Sequence, residues 1–308
     1  MGTAMASLLR TPAPSPRRDA RPLARFAWIV ALFALACGHD RIAEISGGLH
    51  HYCALTERGR LLCRTYEASV PMGEQEAPGG SGWRQAAAGA YASCGLDADG
   101  AIHCWGNAEL GVTDDPPTGA YANMEMGYSH ACALDAAGAA SCWGLDFEGE
   151  TQPPEGPFKA ISAGYAFNCG LRTDGSVTCW GWDAYGQLGS PQGIFDLLKV
   201  GSTHSCAVSA DRRVTCWGAN VRGEATPPDR SDIVALALGH RHTCALTTQG
   251  DAICWGSNEY GQAAAPATKF VALAAGYSST CGLTDAGAVE CWGCRKIVDE
   301  PDQCQPPG

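Results

Sequence analysis

Cysteine is the residue whose spacing carries the most chemical information in this sequence. Sixteen of the 17 cysteines form pairs whose members are ten residues apart. The pairs are Cys53/Cys63, Cys94/Cys104, Cys132/Cys142, Cys169/Cys179, Cys206/Cys216, Cys244/Cys254, Cys281/Cys291 and Cys294/Cys304. Opposed residues of a two-stranded hairpin have Cα atoms about 4.5–5.5 Å apart, which is within reach of a disulfide. The spacing therefore predicts seven hairpin disulfides and an eighth, terminal one between Cys294 and Cys304.

Zinc binding is the main alternative use of these thiols. Zinc-binding cysteines usually come in more closely spaced pairs, and a large set of buried, reduced thiols is unusual in an exported protein. We therefore expect disulfides and no metal or other cofactor. Asp97, Asp99 and Gly100 resemble a calcium loop, but the chemistry of a tight turn explains them more simply.

Histidine is the second residue type that could bind a metal. It occurs two residues before the first cysteine of four pairs, as His51, His130, His204 and His242. Ala92, Phe167 and Ser279 hold this position before three other pairs. Equivalent positions of a repeat lie well apart, so we expect each histidine to make a structural hydrogen bond within its own repeat unit.

Catalytic motifs are absent from the sequence. There is no nucleophile elbow, no HExxH helix and no phosphate-binding glycine loop. We therefore expect no catalytic residues and a protein that is not an enzyme. Two alternatives remain open: a hydrolase or lyase whose active site is built from loops, and an inhibitor of a secreted enzyme.

The elements that position the cysteines form a sevenfold repeat. The first cysteines of the first seven pairs are 37 to 41 residues apart, and a glycine precedes each of them by five positions. A bulky apolar residue stands six positions before that glycine, as Phe158 does before Gly164. Each unit is expected to form three short strands, as in "FKAISAG", "CGL" and "SVTCWG".

Units of this size cannot bury both faces of a sheet alone and must stack on their own copies. We therefore predict an all-β protein with a single seven-bladed β-propeller over residues 42–293; a parallel β-helix is the alternative. The residue after each first cysteine is Ala or Gly, which indicates that another backbone approaches there. A glycine suits the hairpin turn of six units, and Arg212 in its place predicts a different turn in the fifth unit.

Two stretches carry a family resemblance. "GYSHACALDAAGAASCWGLDFEGE" (Gly127–Glu150) and "CGLRTDGSVTCWGWDAYGQLG" (Cys169–Gly189) resemble repeats of the regulator of chromosome condensation family. The short, cysteine-bearing repeat resembles secreted bacterial members of that superfamily, which include propeller-type β-lactamase inhibitory proteins. The resemblance implies a seven-bladed propeller that binds proteins. The first unit departs from the pattern, because Arg64 and Thr65 replace Trp-Gly.

The N-terminal segment, residues 1–36, has the form of a secretory signal peptide. Five arginines precede the apolar run "FAWIVALFALA", Phe26–Ala36, which is shorter than the about 20 residues of a membrane-spanning helix. "ALAC", Ala34–Cys37, resembles a lipobox, in which Cys37 is lipidated. We predict an exported lipoprotein of the cell envelope, at the outer membrane or cell surface in a Gram-negative organism. Residues 37–41 would be the tether and residues 294–308 the C-terminal tail with its disulfide.

The charge distribution limits the partners. The net charge is −11, and the chain from Cys37 onward carries −15. An acidic protein repels nucleic acid and anionic membrane surfaces. We expect a monomer that attaches to the membrane through its lipid alone and binds an unknown envelope or secreted protein. The candidate binding residues follow the Trp-Gly of their units and should share one face: Phe147, Trp182, Tyr185 and Tyr260, beside Asp146, Glu148, Asp183 and Glu259.

Overall fold

The computed structural model describes residues 40–65 and 76–293. The predicted signal peptide, Cys37 and the Cys294–Cys304 pair lie outside the described residues. Within them the chain contains no α-helix and one 3₁₀ turn, Ala108–Leu110. None of the described segments forms a helix that is long and apolar enough to span a membrane.

Over the described ranges, 21 strands form seven antiparallel sheets of three consecutive strands each, which we call blades 1 to 7. Their bounds are β1 Ile42–Gly47, β2 His51–Thr56 and β3 Leu61–Thr65 in blade 1; β4 Gln85–Ala88, β5 Ala92–Leu96 and β6 Ile102–Gly106 in blade 2; β7 Tyr121–Met126, β8 His130–Asp135 and β9 Ala140–Gly144 in blade 3; β10 Phe158–Ala163, β11 Phe167–Arg172 and β12 Val177–Gly181 in blade 4; β13 Phe195–Val200, β14 His204–Ser209 and β15 Val214–Gly218 in blade 5; β16 Ile233–Leu238, β17 His242–Thr247 and β18 Ala252–Gly256 in blade 6; and β19 Ala272–Ala275, β20 Thr280–Leu283 and β21 Val289–Trp292 in blade 7.

The seven predicted hairpin disulfides are confirmed. In each blade the register places the first cysteine opposite the second. The Cα atoms of the seven pairs are 4.0–4.1 Å apart, near the spacing of the closer kind of cross-strand pair. The bonds are Cys53–Cys63, Cys94–Cys104, Cys132–Cys142, Cys169–Cys179, Cys206–Cys216, Cys244–Cys254 and Cys281–Cys291.

The two cysteines of a disulfide differ in burial, although their spacing in the sequence does not distinguish them. The first cysteine lies on the middle strand of its blade and is fully buried. The second cysteine lies on the third strand and is only partly buried in all seven blades. These partly buried residues are Cys63, Cys104, Cys142, Cys179, Cys216, Cys254 and Cys291. Each disulfide therefore ties a partly exposed strand to the buried middle of its sheet.

The blades close into a ring without a borrowed strand. The first strand of each blade contacts the first strand of the next blade, and β1 contacts β19. A tyrosine completes the junction of blades 7 and 1: Tyr52 Oη lies 3.0 Å from Ser279 Oγ and accepts a hydrogen bond of 3.0 Å from Gly276 N. The predicted propeller is therefore present.

The glycine that precedes each cysteine pair forms an inner ring. A Cβ atom built on one of these glycines would lie 2.2–3.0 Å from the carbonyl oxygen of its counterpart in the next blade. The series runs through Gly48, Gly89, Gly127, Gly164, Gly201, Gly239 and Gly276, and returns to Gly48. None of the seven has a positive φ, so close packing and not an unusual backbone conformation requires glycine there.

The apolar core lies between blades. Seven clusters of buried side chains were found in the described part of the chain, each shared by two successive blades. The cluster between blades 3 and 4, for example, packs the Cys132–Cys142 disulfide against Phe158, Ile161 and Trp180. A disulfide therefore supports the interface between blades as well as its own hairpin.

Two expectations about individual positions are wrong. Where the small residue after the first cysteine is glycine, it makes room for side chains and not for another backbone: a Cβ atom would lie 2.9 Å from the Trp83 ring at Gly95, 2.4 Å from the Phe158 ring at Gly170 and 2.4 Å from the Phe270 ring at Gly282. Arg212 does not mark a different turn. It takes a φ of 62°, and its N–H donates to Ser209 O at 2.8 Å as Gly138 N donates to Asp135 O at 3.0 Å.

Candidate functional site

Two sets of loops share one face of the propeller, which we call the turn face. The first set comprises the turns between the first and second strands of the blades. The second comprises the exit loops, which follow the third strands. Backbone hydrogen bonds join them, such as Trp182 N to Ala166 O at 2.9 Å and Leu145 N to Ser129 O at 2.9 Å. The hairpins between the second and third strands lie at the opposite ends of the strands, on the hairpin face.

The exit loops are fixed by buried polar side chains. In blade 4 the fully buried Gln187 accepts a hydrogen bond of 2.7 Å from Tyr185 N through its side-chain oxygen. The main-chain carbonyl oxygen of Gln187 accepts a hydrogen bond of 2.9 Å from the indole of Trp217 in blade 5. The same arrangement occurs in three other exit loops, where the residue equivalent to Gln187 is Glu150, Glu224 or Gln262 and the donor is the tryptophan of the following blade. These hydrogen bonds therefore hold the backbone of the loops that carry the outward-facing side chains.

Five aromatic rings form a continuous series on the turn face, which we call the aromatic arc. Ring centroids are 6.0 Å apart for Tyr91 and Tyr128, 4.5 Å for Tyr128 and Tyr165, 6.2 Å for Tyr165 and Trp182, and 5.4 Å for Trp182 and Tyr185. Tyr165 is 44% exposed and Tyr185 is 52% exposed. The arc runs from the propeller axis outward to the exit loop of blade 4.

The structure brings together only two of the four predicted binding residues. Trp182 and Tyr185 belong to the aromatic arc. Phe147 is 74% exposed and Tyr260 is 42% exposed on the exit loops of blades 3 and 6, but neither makes a ring contact within the described residues. Sequence reasoning missed Tyr91, Tyr128 and Tyr165, although each stands one or two residues after a repeat glycine, and that position was the available signal.

The acidic residues predicted beside them have partly structural roles. Asp146 accepts hydrogen bonds from Thr151 N at 3.3 Å and Gln152 Nε2 at 2.8 Å, and Asp183 accepts one from Leu188 N at 2.8 Å. Glu259 forms an ion pair of 2.6 Å with Arg222. Glu148 is exposed on the blade 3 loop, where it follows Phe147.

The turn face is divided by charge. In blades 2 to 4 its turns and exit loops contain several exposed acidic residues and no lysine or arginine. The acidic residues include Glu109, Asp146, Glu148 and Asp183. The corresponding loops of blades 5 and 6 contain Arg222 and Arg241. The acidic half is therefore the half that contains the aromatic arc.

A cavity of about 210 Å³ occupies the propeller axis and opens on the turn face. The first strands supply its walls, with many alanine, serine and glycine residues. Tyr128, Tyr165 and Tyr277 lie among the turn residues at its mouth. Burial and, secondarily, a hydrogen bond with the Tyr91 side chain raise the pKa of the Tyr128 hydroxyl.

Three charged side chains enter this cavity from different blades. Lys199 Nζ of blade 5 lies 2.7 Å from Glu125 Oε1 of blade 3, and the Glu125 carboxylate raises the pKa of Lys199. Glu44 enters from blade 1, where burial and the nearby Glu125 raise its pKa to about 7. Two carboxyl groups thus share one ammonium group.

The cysteines of the seven hairpin disulfides belong to the scaffold and not to the cavity. Its lining comes from the first strands and the turns that follow them, and contains no cysteine. The disulfides join the second and third strands. The second cysteine of each pair therefore stands on the third strand, which is the strand farthest from the one that lines the axis; examples are Cys63, Cys104, Cys216, Cys254 and Cys291. The cysteines of the described blades therefore hold the site in place without taking part in it.

The histidines do not form a metal site. No group of three or more metal-ligating side chains occurs in residues 40–65 and 76–293. Each histidine makes a structural hydrogen bond, as expected, but the expectation that the bond stays within one blade is wrong, because each Nε2 atom contacts the next blade. The distances are 2.6 Å for His51 to Ser93, 2.8 Å for His130 to Asn168, 2.7 Å for His204 to Thr243 and 2.9 Å for His242 to Thr280.

Comparison with known proteins identifies the repeat. Residues 83–111, 158–187, 197–224 and 233–262 match the regulator of chromosome condensation (RCC1) repeat. No curated protein matches the chain at a significant level.

Three solved structures have similar folds. The ectodomain of receptor kinase CR4 from Physcomitrella patens has a TM-score of 0.70 at 26% identity, covering 82% of this chain and 74% of that one. The ectodomain of receptor kinase ACR4 from Arabidopsis thaliana has a TM-score of 0.69 at 24% identity, covering 82% and 98%. Prp20p from Saccharomyces cerevisiae has a TM-score of 0.62 at 16% identity, covering 83% and 82%.

These matches agree with the blade structure, in which each repeat contributes three strands and one hairpin. The chain is a disulfide-stapled β-propeller, and four of its blades contain segments that match the RCC1 repeat.

Proposed function

We propose that this chain is a non-catalytic, protein-binding propeller lipoprotein of the bacterial cell envelope, and that its partner docks on the acidic half of the turn face. The aromatic arc carries this proposal. Exposed tyrosine and tryptophan side chains are the usual energetic centres of protein interfaces, because they bury a large area with few rotatable bonds. Trp182 and Tyr185 stand on an exit loop that Gln187 fixes, and Tyr91, Tyr128 and Tyr165 stand on short turns between paired strands, so docking would require little ordering.

The similar folds support binding over catalysis. Prp20p binds Gsp1p and histones. At 16% identity, this likeness indicates that such a propeller can present protein-binding surfaces and does not identify the partner of this chain. The CR4 and ACR4 domains are ectodomains. Seven disulfides in the described residues likewise favour an oxidising compartment outside the cytoplasm.

A capture experiment tests the docking surface. The full chain and a Tyr165→Ala/Trp182→Ala/Tyr185→Ala variant would be cross-linked to envelope proteins, and the partners identified by mass spectrometry. Each central aromatic side chain is worth about 2 kcal/mol or more at an interface, so the triple variant should lose its specific partner. All seven hairpin disulfides should remain, since the substituted residues lie on loops outside the paired strands.

Two matched variants locate the surface. Ile194→Ala changes an exposed side chain beside the blade 4 hairpin, on the hairpin face, and should retain capture. Phe147→Ala/Tyr260→Ala tests the predicted residues outside the arc. Docking on the arc would be refuted if the folded triple variant captured the partner fully, or if capture were lost in Ile194→Ala alone.

The lipid anchor has its own test. Cys37 would carry the acyl chains, and Cys37→Ser should move the protein from the membrane fraction to the soluble fraction because lipid is the only proposed attachment. Metabolic labelling with a fatty acid should mark the original chain and not the variant. Membrane association that survives this substitution would contradict the lipoprotein assignment.

A further inference from the structure

The axial cavity combines an aromatic mouth with charged walls below it. Tyr128 and Tyr165 are 4.5 Å apart between ring centroids, and Tyr277 lies at the same mouth. Glu125 and Lys199 stand two residues before their repeat glycines, and Glu44 stands four residues before Gly48. At about 3.3 Å per residue, Glu44 lies about 13 Å along its strand from the turn. A group that enters would pass the rings before it reaches this carboxyl.

The charges in the cavity are not balanced. Lys199 forms its ion pair with Glu125 at 2.7 Å, whereas no described side chain hydrogen-bonds to the Glu44 carboxyl. Removal of water makes an ionised carboxylate unfavourable unless a positive charge compensates. The pKa of Glu44, raised to about 7 by burial and by Glu125, reflects this deficit. A cationic ligand would supply the missing charge.

The mouth also favours a cation. The faces of aromatic rings attract ammonium and guanidinium groups placed within about 6 Å of a ring centroid. The nearest exposed charges around the arc are acidic, since blades 2 to 4 present Asp146 and Asp183 and no basic residue on this face. An anion would be repelled by these exposed carboxylates and by the excess of carboxylate over ammonium groups in the cavity, where Lys199 is already paired with Glu125. A metal ion would lack a set of three ligands within the described residues.

We propose that the axial cavity binds a single alkylammonium or guanidinium group, with Tyr128 and Tyr165 at the entrance and the Glu44 carboxylate as its counter-ion. A free amine and the lysine or arginine side chain of a docked protein share this chemistry. In the second case the inference rests on the proposed function; small-molecule probes test the cavity by itself.

Calorimetric titration of the full chain at pH 8 and low salt provides the first test. The probes are n-butylammonium and n-butylguanidinium, which match the lysine and arginine side chains, and n-butanol, which has similar size and no charge. The two cations should bind with a stoichiometry of one, and n-butanol should not. Absence of saturable cation binding, or equal binding of n-butanol, would overturn the proposal.

Substitutions in the cavity should move the affinity in opposite directions. Glu44→Gln keeps the shape and removes the counter-ion, so cation affinity should fall at least about tenfold. Lys199→Met removes the resident ammonium group, frees the second carboxylate and should strengthen cation binding. Tyr165→Leu changes only the entrance, which is about 13 Å along the strand from Glu44 and outside the about 6 Å reach of a cation–π contact, so it should leave the affinity within about twofold. The opposite signs distinguish a binding site from general damage to the fold.

A remote control separates local from overall charge. Glu290→Gln removes the same charge from an exposed position on β21 and should leave the affinity unchanged. Equal effects of Glu44→Gln and Glu290→Gln would refute a local site. Unchanged affinity in both Glu44→Gln and Lys199→Met would also refute it.

A peptide identifies the source of the cation. The probe is acetyl-Gly-Gly-Lys-Gly-Gly-amide, with a norleucine version as the uncharged control. Competition between the lysine peptide and n-butylammonium would indicate that a protein side chain can enter. Binding of n-butylammonium without such competition would indicate a free amine. Partner capture through the arc does not depend on either result, so the two proposals can fail separately.

Discussion

Each buried histidine at a blade interface uses one ring nitrogen and leaves the other without a partner. In His204, Nε2 donates to Thr243 Oγ1, because that hydroxyl gives its own proton to Glu224 O at 3.0 Å. Within the described chain, Nδ1 of His51, His130, His204 and His242 is buried without a hydrogen bond. Protonation would therefore place a charge and an unsatisfied donor inside the interface.

This geometry predicts acid sensitivity. Burial lowers the pKa of His51 and His204 to about 3 and that of His242 to about 4. The unfolded chain binds protons near pH 6.5, so between pH 6.5 and 3 it holds more protons than the folded chain. Stability is thus complete above pH 6.5 and falls with pH, by up to about 1.4 kcal/mol per pH unit for each histidine.

His204→Phe should reduce that dependence. Phe167 occupies the equivalent position of blade 4 and is fully buried, so a phenyl ring fits the repeat. At pH 8 the variant should be about 1 kcal/mol less stable, because it lacks one hydrogen bond. Between pH 7 and pH 5 its free energy of unfolding should fall by about 2 kcal/mol less than that of the original chain. Urea unfolding at the two pH values measures both quantities. Thr243→Val keeps the imidazole and should retain the full dependence; equal pH dependence in His204→Phe would contradict the account.

Within each blade, the third strand and the loop after it serve two purposes. The third strand ends with Trp-Gly in blades 2 to 6 and with the tryptophan in blade 7. The indole donates a hydrogen bond to a main-chain carbonyl of the previous exit loop, as Trp217 does to Gln187 at 2.9 Å. The loop that follows presents the outward residues. The hairpin at the other end tolerates variation: Arg212 takes the glycine conformation, at a cost of about 1–2 kcal/mol relative to a residue with a negative φ. The repeat thus holds its backbone geometry even where its sequence departs from the pattern.

The stability of the whole ring depends on the junction of blades 7 and 1. At five other junctions, a tryptophan indole donates a hydrogen bond to the exit loop of the preceding blade. In blade 1 the equivalent position is Arg64. Tyr52 compensates, because its buried hydroxyl lies 3.0 Å from Ser279 Oγ and accepts from Gly276 N at 3.0 Å. Burial raises the pKa of Tyr52 to about 12, so the hydroxyl remains neutral.

Tyr52→Phe should loosen this junction. The substitution keeps the ring and removes the hydroxyl from Ser279 Oγ and from Gly276 N, which retains its bond to Ser279 O at 2.9 Å, so the free energy of unfolding should fall by about 0.5–1.5 kcal/mol. Urea unfolding gives the loss, and hydrogen exchange should show it first at Gly276. Tyr185→Phe removes an exposed hydroxyl and should change stability by less than about 0.5 kcal/mol. A Tyr52→Phe protein as stable as the original would show that the junction does not depend on the hydroxyl.

The spacing of cysteines and glycines along the chain was enough to predict the repeat, the seven hairpin disulfides and the propeller. Cysteines ten residues apart must face each other once a hairpin forms, and units that cannot bury both faces must stack. Trp182 and Tyr185 could be named as candidate binding residues from the sequence, since each holds a fixed place after a Trp-Gly.

The contacts between blades could not be predicted in this way and became visible only in the folded chain. The histidine bonds, the glycine ring, the aromatic arc and the cavity with Glu44, Glu125 and Lys199 join residues of different blades. In the glycine ring, Gly48 meets Gly276 across almost the whole propeller sequence. No local pattern encodes such pairings, because they depend on how far each blade rotates against the next when side chains pack between them.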